Sequence, residues 1–332
     1  MGRNKASGGC TALMRIAVLD DYQGAALRSA DWQSLHPDAQ IEAFPEHIAD
    51  QDALARRLHT FECVVLMRER TVFPKSLIDR LPNLRLIITA GMRNASLDVD
   101  AATARGIQVS GTDMLGYPTA ELAWGLVIAL MRHIPHEDTA IRAGRWQLPL
   151  LGNGLQGKTL GLLGLGRLGS QMAAYGKAFR MNVIAWSQNL TDEAALAAGA
   201  TRVAKDELLG SADVVSLHLV LSERTRGVLG AADLARMKRG AILVNTARAG
   251  LVDEAALIDA VQSGRIIAAL DVFHREPLPA NHPLARAANT VLTPHYGYGV
   301  VEVYREYYQQ CLENALAFLD GKPIRVLQSA GH

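Results

Sequence analysis

Thr159-Leu160-Gly161-Leu162-Leu163-Gly164-Leu165-Gly166-Arg167-Leu168-Gly169 decides how the rest of this chain is read. A short apolar strand leads into Gly-x-Gly-x-x-Gly, and a helical pattern follows. Each glycine has a physical task. Gly164 allows the tight turn out of the strand. Gly166 leaves the backbone bare, so a pyrophosphate can come close. Gly169 lets the helix pack tightly on the strand. The helix, read over Arg167–Phe179, would aim its free N–H groups and positive dipole end at that pyrophosphate. A second apolar run, Asn182–Trp186, comes next. Strand, turn, helix and strand in that order favour dinucleotide binding over a purely structural glycine turn.

The bulk properties narrow the field. A chain of 332 residues suits two domains. A net charge of +1 gives no electrostatic case for a nucleic-acid or anionic-membrane partner. Three cysteines, Cys10, Cys63 and Cys311, are too few and too scattered for a disulfide framework or a metal site. A reducing cytoplasm is the simplest location. No uninterrupted apolar run approaches the roughly 20 residues of a membrane span. Residues 1–13 are polar, basic and Gly/Ser-rich, and read as a disordered leader.

Strand-like runs alternate with helical patterns nearly throughout, which predicts an α/β fold with parallel sheets. Strands are expected at Arg15–Asp20, Cys63–Met67, Leu84–Thr89 and Ile107–Ser110, with helices at Asp50–His59, after Pro74, and at Leu97–Ala104. Pro118–His133 reads as a long, mostly apolar helix, able to bridge two domains. Arg142–Gly157 reads as a loop. Six further strands follow: Leu160–Leu163, Val183–Trp186, Val214–Leu217, Ile242–Asn245, Ala268–Val272 and Val291–Thr293. The helix Glu254–Gln262 stops at Gly264. An amphipathic helix, Val303–Leu319, should pack back on the first domain. The expected division is a domain of 14–115 with 301–332, and a dinucleotide-binding domain of 116–300 inserted within it.

Three residues past strand ends could carry chemistry. Open α/β sheets place ligands there. Arg248, after Asn245-Thr246-Ala247, could fork onto a carboxylate and the neighbouring carbonyl. The plainer reading is an ion pair. Glu276, in Asp271-Val272-Phe273-His274-Arg275-Glu276-Pro277, could be an ordinary loop carboxylate. His295, in Thr293-Pro294-His295, is either a satisfied polar residue or a catalyst. A carboxylate beside an imidazole favours its protonated form, which suits a proton donor. His218 ends a strand near the glycine turn, with no obvious partner. His133 and His136 read as structural.

In motif order and spacing, the chain resembles the D-isomer-specific 2-hydroxyacid dehydrogenase family from about Met14 to Leu327. Gly164–Gly169, Asn245–Arg248, Leu270–Pro277 and Thr293–Gly297 carry the resemblance. It implies a Rossmann dinucleotide-binding domain inserted into a discontinuous flavodoxin-like substrate domain. It also implies an NAD(P)-dependent enzyme that moves a hydride to or from C2 of a small 2-keto or 2-hydroxy acid. By the same resemblance Arg248 would hold the substrate carboxylate and carbonyl, His295 would be the acid/base, and Glu276 would assist it. The implied cofactor contacts are Thr119, Gly164, Gly166, Arg167, Leu168, Gly169, Ser187, His218, Thr246, Ala247, Arg248, Asp271, His295 and Gly297. Asp271 would hold the nicotinamide side. The amides of Ala90 and Gly91 would receive the substrate carboxylate. The resemblance and the apolar helix together imply a homodimer.

Departures from the family pattern matter. His218-Leu219-Val220 stands where many members have His-x-Pro, and Ala249 where many have Gly. Ser187 replaces an acid that would repel a 2′-phosphate, which leans the cofactor choice from NAD towards NADP. Arg68 and Arg93 could recognise a second anionic group on the substrate, or pair with acids such as Glu69. Tyr298 could add a hydroxyl or an aromatic wall. The competing function is a cofactor-sensing corepressor-like relative that acts through protein partners. A proton relay of Arg248, Glu276 and His295 speaks against it.

Overall fold

The computed structural model describes residues 14–35 and 39–328. The leader read at 1–13 lies outside them, as does the end of the chain from 329. The described chain forms two compact units, one ending at Leu115 and resuming at Val300, the other running Gly116–Gly299.

The first unit holds five strands: β1 (Arg15–Val18), β2 (Gln40–Ala43), β3 (Cys63–Leu66), β4 (Leu86–Thr89) and β5 (Gln108–Ser110). They form one parallel sheet ordered β2-β1-β3-β4-β5. β3 and β4 are buried along their whole length. That suits central strands covered on both faces, and explains their uninterrupted apolar sequence. The edge strand β2 is half exposed and polar, so its sequence gave no clear strand signal. Leu54, Leu58, Leu77 and Ala102 cover one face from the helices Gln51–Leu58, Lys75–Ile78 and Val99–Ala104. Asp50 and Asp98 cap two of these by accepting from Ala53 N and Ala101 N. The helix Val301–Leu319 belongs to this unit. Its Tyr307 hydroxyl donates to Leu66 O at 3.0 Å and its Asn314 to Gly111 O at 2.8 Å, both buried.

The second unit has seven parallel strands: β6 (Thr159–Leu163), β7 (Asn182–Trp186), β8 (Thr201–Arg202), β9 (Val214–Leu217), β10 (Ile242–Asn245), β11 (Ile267–Leu270) and β12 (Thr290–Leu292). Their order is β12-β11-β10-β9-β6-β7-β8. Sequence reading expects six. The seventh, β8, is two exposed polar residues at the sheet edge, without hydrophobic periodicity. The order reverses between β6 and β9, so this is a doubly wound sheet with its switch point beside the glycine turn. Alternate residues feed two cores. Leu160, Leu162 and Val214 pack under the helices Pro118–Met131 and Arg167–Ala178; Leu163, Val215 and Leu217 pack on the opposite face.

The loop expected over Arg142–Gly157 is preceded by a helix, Ile134–Arg142, which the sequence reading missed. Pro135 lies in its first turn, where a missing N–H costs nothing. The helix Pro118–Met131 uses most of its apolar surface within its own unit, burying Ala120, Ala123, Trp124, Val127 and Leu130. Uniform apolarity there is therefore no sign of an external partner.

Candidate active site

The glycine turn has the geometry its sequence predicts. Gly164 has φ +98, a conformation that L side chains rarely adopt. A Cβ there would lie 2.7 Å from the backbone C and O of His218. Gly169 is pressed against the Gly164 carbonyl. Gly166 is exposed, and a Cβ on it would meet nothing within 4 Å. It caps the helix Arg167–Ala178, whose first turn leaves free N–H groups. Arg167 is exposed and lies over Gly116, where any side chain would displace it. Leu168 packs partly on the core below.

Past β10, Asn245 folds the chain back on itself. Its Oδ1 accepts from Ala247 N at 3.1 Å and its Nδ2 donates to Arg248 O at 3.0 Å. This side-chain turn sets the direction in which Arg248 leaves the sheet. Arg248 Nη1 donates to Ala247 O at 2.8 Å. Thr246 is 7 % exposed, and its Oγ1 is buried without a hydrogen-bond partner among the described residues. A lone buried hydroxyl past a strand end is what an absent ligand would satisfy.

Past β11 and β12 lies the histidine. His295 Nδ1 and Glu276 Oε2 are 2.7 Å apart. Glu276 Oε1 accepts from Phe273 N at 2.9 Å, so the carboxylate is held at both ends. Burial pushes the Glu276 carboxyl up, but the His295 hydrogen bond and charge, with help from Arg248, bring it below its ordinary value. His295 has φ +52, and the ring of Tyr298 meets its ring edge-on at 6.4 Å between centroids.

Asp271 is 1 % exposed. Its Oδ1 accepts from Thr293 Oγ1 at 2.6 Å and from Tyr296 N at 2.7 Å, and its Oδ2 from Gly297 N at 2.9 Å. It therefore ties down the turn that carries His295. Burial still raises its pKa, against those three hydrogen bonds and the charge of His295. Thr119 stands close by, within about van der Waals contact of where a Gly297 Cβ would be. Ser187 is half-buried at the end of β7, and its carbonyl accepts from Leu190 N.

In the first unit the two loop amides expected to meet a carboxylate both have partners. Ala90 N donates to Leu66 O at 3.1 Å and Gly91 N to Thr112 Oγ1 at 3.1 Å. Both partners lie inside the unit. Thr112, distant in sequence, gave no local signal for this contact. Arg68 and Arg93 sit on loops tied together by Asn94 Nδ2 donating to Arg68 O at 2.7 Å. Arg68 Nε is 3.9 Å from Glu69 Oε2, and Arg93 is exposed.

Sequence reading also missed Asn245, Thr293 and Ser216. The first carries a signal, an Asn closing a strand. The others show only once the strands are paired.

A doubly wound parallel sheet, bare at Gly166 and carrying a carboxylate-bound histidine past its strand ends, defines a class: the dinucleotide-dependent oxidoreductases. The family profile described as "D-isomer specific 2-hydroxyacid dehydrogenase, NAD binding domain" matches residues 124–297. A glyoxylate reductase of Aeropyrum pernix is 40 % identical over 256 residues, 74 % of this chain and 76 % of that one. A D-3-phosphoglycerate dehydrogenase of Bacillus subtilis is 35 % identical over 315 residues, 94 % of this chain but only 58 % of that longer one. The crystal structure of a phosphoglycerate oxidoreductase from Vibrio cholerae superposes with a TM-score of 0.88 at 37 % identity, covering 93 % of this chain and 99 % of that one. The chain belongs to the D-isomer specific 2-hydroxyacid dehydrogenase family. Among the described residues no helix is long and apolar enough to cross a membrane, and no cluster of His, Cys, Asp and Glu could hold a metal.

Proposed function

We propose that the protein interconverts a small 2-keto acid and its 2-hydroxy acid, with His295 as the acid/base and Arg248 as the carboxylate-binding group. The observation that carries this is the 2.7 Å contact between His295 Nδ1 and Glu276 Oε2. With Nδ1 held, Nε2 is the nitrogen left to exchange a proton with the substrate oxygen. Glu276 fixes the orientation of the ring. The Arg248 guanidinium matches a planar carboxylate and can polarise the adjoining carbonyl.

A nicotinamide dinucleotide, when bound, gives or takes the hydride at C2. The residues present fit it. Gly166 is open, the following helix start offers N–H groups, and the Thr246 hydroxyl lacks a partner. Gly164, Gly166, Arg167, Leu168 and Gly169 would hold the pyrophosphate. Thr119, Thr246, Ala247, Asp271 and Gly297 would line the nicotinamide side. Ser187 brings no negative charge to the ribose end, so we expect both cofactors to be accepted, with a lean to NADPH.

The backbone amides of the Ala90–Gly91 loop would receive the substrate carboxylate. Arg68 or Arg93 would take a second anionic group. Glyoxylate, hydroxypyruvate and phosphorylated hydroxy acids are candidates, because relatives are named for such compounds. We place the protein in the cytoplasm and expect a homodimer. Ile134, Ile141, Trp146 and Leu151 support the latter: Trp146 is 79 % exposed beside a groove of about 570 Å³ lined by Ile128, Ile134 and Ile141. A monomer by light scattering at micromolar concentration would remove that expectation.

The deciding experiment is a panel of 2-keto acids with NADH and NADPH, followed at the nicotinamide absorbance band. Turnover of at least one acid is expected. Tight dinucleotide binding without turnover of any acid would favour a cofactor-sensing role instead.

A further inference from the structure

Ser216 and His218 lie two residues apart where β9 ends. Alternation puts them on one face with Val214, the face covered by the helices Pro118–Met131 and Arg167–Ala178. His218 stands at the glycine turn. Its N–H donates to Leu163 O at 2.8 Å, and a Cβ on Gly169 would lie 3.7 Å from its own Cβ. Its Nε2 is 2.8 Å from Ser216 Oγ.

The direction of that hydrogen bond follows from what else is available. Ser216 is fully buried within the sheet, between β6 and β10. Its hydroxyl has no other partner among the described residues. A hydroxyl proton buried there needs an acceptor, and Nε2 is the acceptor within reach. Were Nε2 protonated, it would donate to Ser216 and leave the serine proton stranded, at the desolvation cost of an unpaired buried donor. Part of the His218 surface remains accessible. Even so, neighbouring atoms crowd the ring enough to push its pKa down to about 4. The ring is neutral near pH 7 and carries one proton, which Nε2 does not hold. Nδ1 has no acceptor among the described residues.

We propose that Ser216 is a positioning residue: it locks His218 as the Nδ1–H tautomer, and that N–H donates to a pyrophosphate oxygen of the dinucleotide at the glycine turn. This rests on the reading that the turn takes a dinucleotide. A neutral donor suits the place. It adds a hydrogen bond to an anion without burying a second charge.

NMR of histidine-labelled protein, without added nucleotide, reads the tautomer directly; the His218 signals are assigned with His218→Gln. An unprotonated Nε2 and a protonated Nδ1 are expected, and the reverse overturns the proposal. Titrations with NADH, followed by its fluorescence, test the consequence. Ser216→Ala should mix the two tautomers and weaken NADH binding roughly 3- to 10-fold. Ser216→Thr, which keeps the hydroxyl on a strand-favouring side chain, should restore both. Thermal unfolding of each variant checks that it is folded. Wild-type NADH affinity in a folded Ser216→Ala overturns the proposal. Absence of NADH and NADPH binding in the wild type would instead sink the dinucleotide reading, and the donor's assigned ligand with it.

Discussion

The same substitution two residues apart should damage two different things. Gly164→Ala forces a Cβ into a φ of +98 and to within 2.7 Å of the His218 carbonyl carbon and oxygen. That backbone cannot swing away, because His218 N–H is fixed to Leu163 O across the β6–β9 pair. Strain at such a φ costs about 1–3 kcal/mol. Overpacking against a fixed backbone costs about as much again. Against a typical stability of about 5–15 kcal/mol, a loss of about 2–6 kcal/mol is large. For a unit of this size it lowers Tm by roughly 5–20 °C. Gly166→Ala meets none of this. Its φ of −78 and ψ of −160 are ordinary for alanine, and no atom lies within 4 Å of the new carbon. Its Tm should stay within a few degrees of wild type. Its methyl group occupies the space a pyrophosphate needs, so NADH affinity should fall about 10-fold or more, equivalent to about 1.4 kcal/mol. Calorimetry and NADH fluorescence titration on the two variants make the comparison. If Gly166→Ala binds NADH like the wild type, the pyrophosphate does not approach there. If Gly164→Ala keeps its Tm, the geometry of the turn is wrong.

His295→Asn should cost roughly 100- to 10,000-fold in kcat while NADH affinity is kept, as expected for loss of a general acid; unchanged turnover refutes the role. Glu276→Gln removes the carboxylate that holds the His295 ring at Nδ1. Its kcat for 2-keto acid reduction should fall while NADH affinity is kept, and unchanged turnover would mean the pair does not couple to catalysis. Arg248→Lys keeps the charge but loses the fork, so kcat/KM should fall severely together with the affinity for oxalate-like anions. Retained anion binding would place the carboxylate elsewhere. Ser187→Asp should raise KM for NADPH far more than for NADH, an idea that fails if the wild type already rejects NADPH by orders of magnitude. His218 is held neutral in the folded state, with a pKa of about 4 against an ordinary value of 6.5. The unfolded chain therefore binds more protons between those values, and stability drops as pH falls through that window. The full effect is at most about 3 kcal/mol. His218→Gln should flatten that acid limb in melting curves taken from pH 7 to pH 4.

The sequence by itself determined the fold class and singled out the residues proposed to carry the chemistry. Buried parallel strands such as β3, β9 and β10 are short apolar runs whose burial leaves no freedom of composition. The glycine turn is legible because each of its glycines answers a local steric demand. Arg248, Glu276 and His295 stand out because each follows a strand end. Local rules did not reach β8 or β2, which are edge strands with exposed, polar sequences. They also did not reach the partners. The fate of the Gly91 amide depends on Thr112, that of the His295 turn on Asp271 and Thr293, and that of the His218 ring on Ser216. Those pairings are set by strand register and by which face a side chain takes. Hydrogen bonds act only over a few ångströms, so tertiary structure alone decides which polar atoms are already satisfied and which remain for a ligand.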